Sequence, residues 1–177
     1  MGQSPSSNSY NVGGDGLPFY QGNADFGEEN PGPRTWCTNP KKIAEKGDVL
    51  VSVRAPIGAI NIANEKCCIG RGIAAIRPNP DIAITGFLRH QLVASRSKLE
   101  AMGTGSTFKA VGKKALGDFP IVVYSKSTQE AIERQLNCIT KQIKAINSQL
   151  DQFDSLVKSR FVEMFGDLRE NREGWPV

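Results

Sequence analysis

A chain of 177 residues, 39% hydrophobic and carrying a net charge of +4, has material for one domain with a core and something extended beside it, not for two full domains. Its apolar runs are short and broken by charge, so no stretch reaches the roughly 20 apolar residues of a membrane span, and the opening MGQSPSSNSY lacks the charged and apolar regions of a secretory leader. Cys37, Cys67, Cys68 and Cys138 show no CxxC spacing and His90 is the single histidine, which leaves no zinc ligand set and points to reduced thiols in a cytoplasmic protein.

Residues 1 to 40 are rich in Gly, Pro, Ser and Asn, with Tyr10, Phe19, Tyr20, Phe26 and Trp36 at intervals. Such segments form ordered irregular loops and short strands rather than helices. From Gly47 the pattern turns strand-like. In DVLVSVR, Val49, Val51 and Val53 alternate with Leu50, Ser52 and Arg54, a period of two. APIG, residues 55 to 58, supplies a turn and AINIA the returning strand. KCCIG and IAAIR are expected to continue this meander, with Gly70 and Gly72 allowing a tight turn or bulge between them.

Residues 85 to 102 read as a helix whose stripe is Leu88, Leu92, Leu99 and Met102, with Thr85 as N-cap. Arg89 and Arg96 lie seven apart and share a face. GTGSTFKAVGKKALGD then gives a Gly-rich loop and a short helix or turn, followed by an expected strand from Phe119 to Tyr124. Residues 1 to 126 thus form a β-rich α+β domain.

After it Ser127 is placed as an N-cap, with Glu130 completing a capping box. No Pro or Gly follows until Gly166. Ile132, Leu136, Ile139, Ile143, Ile146, Leu150, Phe153 and Val157 alternate steps of four and three, a sustained heptad stripe. At Arg160 the register breaks, and Phe161, Met164 and Phe165 move the stripe to a neighbouring face. A helix over residues 127 to 165 is about 58 Å long. A compact domain of the preceding size has a diameter of roughly 30 to 35 Å, so the helix is expected to overhang it and to need a partner along its seam.

The charge is uneven. Residues 1 to 126 carry 15 Lys and Arg against 10 Asp and Glu, whereas residues 127 to 165 carry five of each. Arg89, Arg96, Lys98, Lys109, Lys113 and Lys114 face the single acid Glu100 between residues 89 and 114. Nucleic acid is a suitable partner for such a patch, although solvated faces look similar.

Catalytic signatures fail. GKK at 112 to 114 lacks the glycine of a phosphate-binding loop five residues earlier, where Thr107 stands, and Lys114 replaces its Ser or Thr. GRGIAA, residues 70 to 75, fits a loose dinucleotide motif, but Pro78 prevents a helix from following, so it reads as a turn. No Glu-x-Lys follows the Pro80-Asp81 pair, and one histidine without a carboxylate cluster supplies no acid or base machinery. A binding protein is the reading that survives.

Three phrases in order, GDVLVSVRAPIGAINIANEKCCIGRGIAAIRP, GSTFKAVGKKAL and LDQFDSLVKSRFVEMFGD, together resemble the specificity subunit of type I restriction-modification systems from about Gly2 to Asp167. The resemblance implies a target recognition domain over residues 1 to 126 that reads half of a split double-stranded DNA site, and a coiled-coil spacer helix over residues 127 to 166. It also implies that the chain is no enzyme and holds no cofactor. Modification subunits bring S-adenosylmethionine and methylate adenine, and restriction subunits bring ATP- and Mg-dependent translocation and cleavage. This chain has half of the family's usual plan of two domains and two antiparallel helices, and residues 167 to 177 resemble the start of a second recognition domain. PIVVYSKSTQE stands where the family has a Pro-rich entry to the helix.

Under this resemblance the phosphate candidates are Lys41, Lys42, Lys109, Lys113 and Lys114, in or beside loops, with Thr107 in the TGSTFK loop. Ser6, Ser7, Asn8, Gln21, Arg34 and Thr35 are placed where side chains reach groove edges. Arg54 and Arg71 read equally as structural, bonding carbonyls near turns. The heptad stripe is the helix interface, expected to form a homodimer. A protein-only coiled-coil adaptor, and less so a nuclease or methyltransferase, are the alternatives.

Overall fold

The computed structural model describes residues 1–105 and 109–166. Its contacts divide the chain into one unit, Met1–Glu133, and a second, Arg134–Val177. The Gly- and Asn-rich opening folds as short strands: β1 (Tyr10–Asn11), β2 (Leu17–Tyr20), β3 (Trp36–Cys37) and β4 (Ile43–Ala44). The Val-rich region gives β5 (Val49–Ser52), β6 (Ile60–Ile62), β7 (Cys67–Ile69) and β8 (Ile73–Ile76). Helices α1 (Thr85–Ala94), α2 (Arg96–Ala101), α3 (Lys113–Gly117) and α4 (Lys126–Phe165) follow.

The alternation in β5 decides the layering. Val49, Val51 and Val53 pack with Leu88, Leu92 and Leu99 of α1 and α2. Leu50, on the opposite face, joins Tyr20, Cys67, Ile69 and Ile73. β5 is therefore buried on both faces, the central strand of a three-stranded sheet in the order β6-β5-β8. Helices cover one face of this sheet, and a five-stranded sheet of order β1-β3-β2-β7-β4 lies towards the other. The first unit is thus α+β, with a long helix after it.

The meander is corrected. β5 pairs antiparallel with β6 across the APIG turn, but β7 does not continue that sheet. It pairs parallel with β2, Phe19 opposite Cys68, and antiparallel with β4, while β8 returns to β5 with Val51 opposite Ala74. Side-chain alternation alone does not choose a neighbour. A strand with Cys67 and Cys68 buried on opposite faces fits the larger sheet, which has a core on each side.

Four further expectations shift. The helix over 85 to 102 is two, broken at Ser95 (φ −96°, ψ 11°), a residue type that favours turns over helix interiors. Leu88, Leu92 and Leu99 are buried as expected. Thr85 is not the N-cap but the first helical residue, its hydroxyl donating to the Gly47 carbonyl at 3.3 Å. Residues 119 to 124 form no strand, because no strand lies alongside among the described residues. The Gln91 carboxamide takes that place, donating to the Val122 carbonyl at 2.9 Å and accepting from its N–H at 3.0 Å. α4 begins at Lys126, and Ser125 rather than Ser127 accepts the Thr128 N–H at 3.3 Å.

Gln129 anchors the first turn of α4. It is fully buried. Its Nε2 donates to the carbonyls of Ile82 at 2.8 Å and Tyr124 at 2.7 Å, and its Oε1 accepts the Ile84 N–H at 3.1 Å. Beyond Glu133 the heptad positions Ile139, Ile143, Ile146, Leu150, Phe153 and Val157 are each more than half exposed. Leu136 is exposed to 36% and Ile132 is half-buried. No described helix is long and apolar enough to cross a membrane. The tail from residue 167, expected to begin a second domain, lies outside the described residues.

Candidate nucleic-acid interface

Three backbone segments meet at one edge of the first unit. β2 runs out at Gln21, β7 at the Gly70-Arg71-Gly72 turn, and β5 at Val53 and Arg54. The Gly70 N–H donates to the Tyr20 carbonyl at 2.8 Å, the Gly72 N–H to Gln21 at 3.2 Å, and the Val53 N–H to Gly72 at 2.9 Å. This lacing needs glycine: a Cβ at residue 72 would stand 2.3 Å from the Gln21 carbonyl oxygen. GRG is therefore a turn, as its sequence indicates, and one that brings two strand ends from different sheets into contact.

Above this junction lie two adjoining depressions of about 280 and 460 Å³, which share Gln21, Gly22, Asn23 and Ala55. Arg54 and Arg71 line the first and Arg34 the second. Together they make a polar groove, unlike the mostly apolar pockets that hold small molecules. Its acid, Asp25, is already held. Asp25 accepts Arg34 Nε at 3.1 Å and Nη2 at 2.6 Å, and the N–H groups of Gln21 at 2.6 Å and Gly22 at 3.3 Å. Arg54 and Arg71 are exposed and make no ion pair among the described residues. Nor do they bond backbone carbonyls there, which corrects the structural role considered for them. The Ser52 hydroxyl instead fixes the loop, donating to the carbonyls of Arg54 at 3.0 Å and Pro56 at 2.7 Å.

A third depression of about 310 Å³ also includes Asn23, and both Arg89 and Arg96 line it. Arg96 pairs with Glu100 at 3.1 Å. Arg89 Nε is buried with no hydrogen-bond partner among the described residues.

The sequence-derived candidates divide. Gln21 and Arg34 lie in the groove. Lys109 is exposed beside it, because Ala110 bridges Arg54 and Thr104 and the Val111 N–H donates to Val53 at 2.9 Å. Lys42 and Lys113 are gathered elsewhere, around the Met1 amine, whose pKa is lowered by burial and then by those two charges. Lys41 and Lys114 are exposed. Ser6, Ser7 and Asn8 are exposed at a 3-10 turn over Ser7–Ser9, and the Thr35 carbonyl accepts the Phe19 N–H at 2.8 Å. Thr107 lies outside the described residues. Asn23, Arg54 and Arg71 were not among the base-reading candidates. Their signal was positional, each lying one to three residues past a strand end or glycine turn.

Elsewhere the thiols are muted. Burial pushes Cys67 up to about 12 and Cys68 up to about 11, so both stay protonated and apolar in character at neutral pH. Among the described residues no cluster of His, Cys, Asp and Glu is suited to a metal ion.

Residues 2–152 match the family described as Type I restriction modification DNA specificity domain. The chain is 40% identical over 158 residues to the putative type I restriction enzyme MjaX specificity subunit of Methanocaldococcus jannaschii, covering 89% of this chain and 37% of that protein. It superposes on the HsdS subunit from Thermoanaerobacter tengcongensis with a TM-score of 0.75 and 43% identity, over 84% of this chain and 36% of that one. A chain from a structure of complex assembly and conformational transition in a type I R-M system gives a TM-score of 0.83 and 43% identity, over 90% and 40% of the two chains. This chain thus spans about two fifths of the length of these relatives.

Proposed function

This chain belongs to the type I restriction modification DNA specificity domain family, and on that premise we propose that residues 1 to 126 read one half of a split double-stranded DNA site while the helix beyond them spaces it from a second half. The observation that carries the reading is the polar groove with Arg34, Arg54 and Arg71 at its wall and its acid already neutralised. Guanidinium and carboxamide groups on a rigid strand-end platform suit phosphates and base edges. The chain itself does no chemistry. Modification subunits supply adenine methylation with S-adenosylmethionine, and restriction subunits supply ATP- and Mg-dependent cleavage.

The second half-site is read by an identical chain. The heptad positions Ile139 to Val157 are exposed, and a long apolar stripe of this kind requires a cover in water. A two-fold pair of such helices presents two copies of the groove, hence identical half-sites in inverted orientation. Methylation mapping of the genome in cytoplasm carrying this chain and its modification subunit tests both statements. A split motif with inverted repeats is the expected result. No new methylated motif would sink the DNA reading, and an asymmetric motif would sink the homodimer.

A further inference from the structure

The geometry points to Gln21, Arg54 and Arg71 as the side chains that read base identity in the half-site, with Lys109 as a phosphate contact at the groove's edge. This rests on the DNA reading above and assigns the specificity to particular atoms of one groove. Base reading requires three things at once: donor groups in a fixed fork, freedom from competing partners, and a backbone that does not move when the ligand is absent.

The junction of β2, β5 and β7 meets each requirement. Three backbone hydrogen bonds of 2.8 to 3.2 Å tie Tyr20 and Gln21 to Gly70 and Gly72, and Gly72 to Val53, so the three side chains rise from one rigid base. Arg54 and Arg71 are exposed and have no carboxylate partner among the described residues. Arg34, by contrast, already spends its fork on Asp25 at 3.1 and 2.6 Å, and is a positioning residue for the Gln21–Gly22 backbone that Asp25 also holds. An arginine fork matches the O6 and N7 acceptors of guanine, and a glutamine carboxamide matches the N6 donor and N7 acceptor of adenine. Lys109 differs in kind. It is a single point charge at the groove's edge, suited to phosphate.

The test is selection from a duplex DNA library with a randomised block, using the full chain assembled with its modification subunit. Arg54→Lys and Arg71→Lys keep the charge and remove the fork, and Gln21→Ala removes the carboxamide. Each is expected to relax the enriched motif at one base pair by about 10- to 100-fold. A motif unchanged in all three variants overturns the assignment. So does a uniform loss of affinity with the motif intact, which would make the arginines phosphate contacts. If the unaltered chain enriches no motif, the DNA reading itself fails and the assignment falls with it. Unaltered melting curves of the variants separate these outcomes from misfolding.

Discussion

Asp48 and Arg77 clamp the open ends of two paired strands: Nε donates to Oδ1 and Nη2 to Oδ2, both at 2.8 Å. Asp48 precedes β5 and Arg77 follows β8, where Val49 lies opposite Ile76. The Asp48 carboxylate is 4% exposed, its guanidinium partner 62%. Burial pushes the Asp48 pKa up, but the Arg77 hydrogen bonds, the Glu45 N–H at 2.9 Å and the Arg77 charge together bring it below its ordinary value.

Because that pKa is lowered on folding, the clamp stabilises the fold above the unfolded value of about 3.9, and the contribution is lost as pH falls through the folded value. Arg77→Ala is expected to lower the melting temperature by several degrees at pH 7, by leaving a buried carboxylate without its partner. The difference from the unaltered protein narrows as pH falls below about 3.9. Thermal melts of both proteins across pH 3 to 7 check this, and a gap that stays constant across the range would refute the linkage.

Gly72→Ala is expected to destabilise the first unit by about 1–3 kcal/mol. Its Cβ would stand 2.3 Å from the Gln21 carbonyl oxygen and 3.2 Å from Gly22 Cα, so the β2 end must move away. Gly47→Ala is strained for another reason, a φ of +89° with nothing within 4 Å of the new atom. Urea titrations measure both losses of stability, and DNA selection distinguishes the two: only Gly72→Ala should also disturb it, because only that substitution displaces Gln21.

The sequence made the period-two strand β5, the apolar stripe of α1 and α2, and the heptads of α4 legible, since each is a local pattern of burial. The pairing of β5 with β6 was legible through the APIG turn between them, but the partners of β7 and β8 were not. Cys67 to Ile69 reads equally well beside Ile60 to Ile62 or beside Leu17 to Tyr20, and only long-range packing selects the latter. The groove suffered likewise. Gln21, Arg54 and Arg71 are far apart in the chain, and what unites them is hydrogen bonding between strand ends. Gln129 gave no signal at all, a polar residue in a helix that looked solvated.

Gln129 accordingly yields a sharp prediction. Removing its carboxamide leaves the Ile84 N–H and the Ile82 and Tyr124 carbonyls without that partner in a part-buried site. Gln129→Ala is expected to cost about 1–3 kcal/mol. Gln129→Glu should cost more at pH 7 than at pH 4, since a carboxylate facing two carbonyls loses both donated bonds and adds repulsion, whereas its protonated form recovers one donor. Denaturant unfolding at the two pH values, each referenced to the unaltered protein, tests the order.

Lys109 and Lys113 separate in space, Lys109 beside Arg54 and Lys113 near the Met1 amine. In the assembled complex Lys109→Ala is expected to reduce the slope of log affinity against log salt by about 0.9, the value of one phosphate contact. Lys113→Ala reports on a different place: an equal reduction there means that the DNA path runs from the groove across the N-terminus to α3. Titrations of a fixed duplex at several salt concentrations give both slopes. An unchanged slope for Lys109→Ala removes the TGSTFK loop from the interface.

The last prediction concerns α4. Ile143 and Ile146 are 53% and 55% exposed and lie in the middle of the stripe, where a partner helix would bury them most fully. Burying each such side chain contributes about 1.5–3 kcal/mol, so several along the helix can offset the cost of association. Ile143→Asp combined with Ile146→Asp is expected to convert a micromolar dimer to monomer in sedimentation velocity. The melting of the Met1–Glu133 unit should not change, because its cores draw on residues no later than Phe119. DNA selection then discriminates further. The monomeric variant should enrich a single half-site with no fixed spacing, whereas the unaltered chain enriches two, since in this reading the helix sets the distance between half-sites and the groove sets their sequence. A monomeric unaltered chain at micromolar concentration would reject the pairing and leave the groove assignment standing.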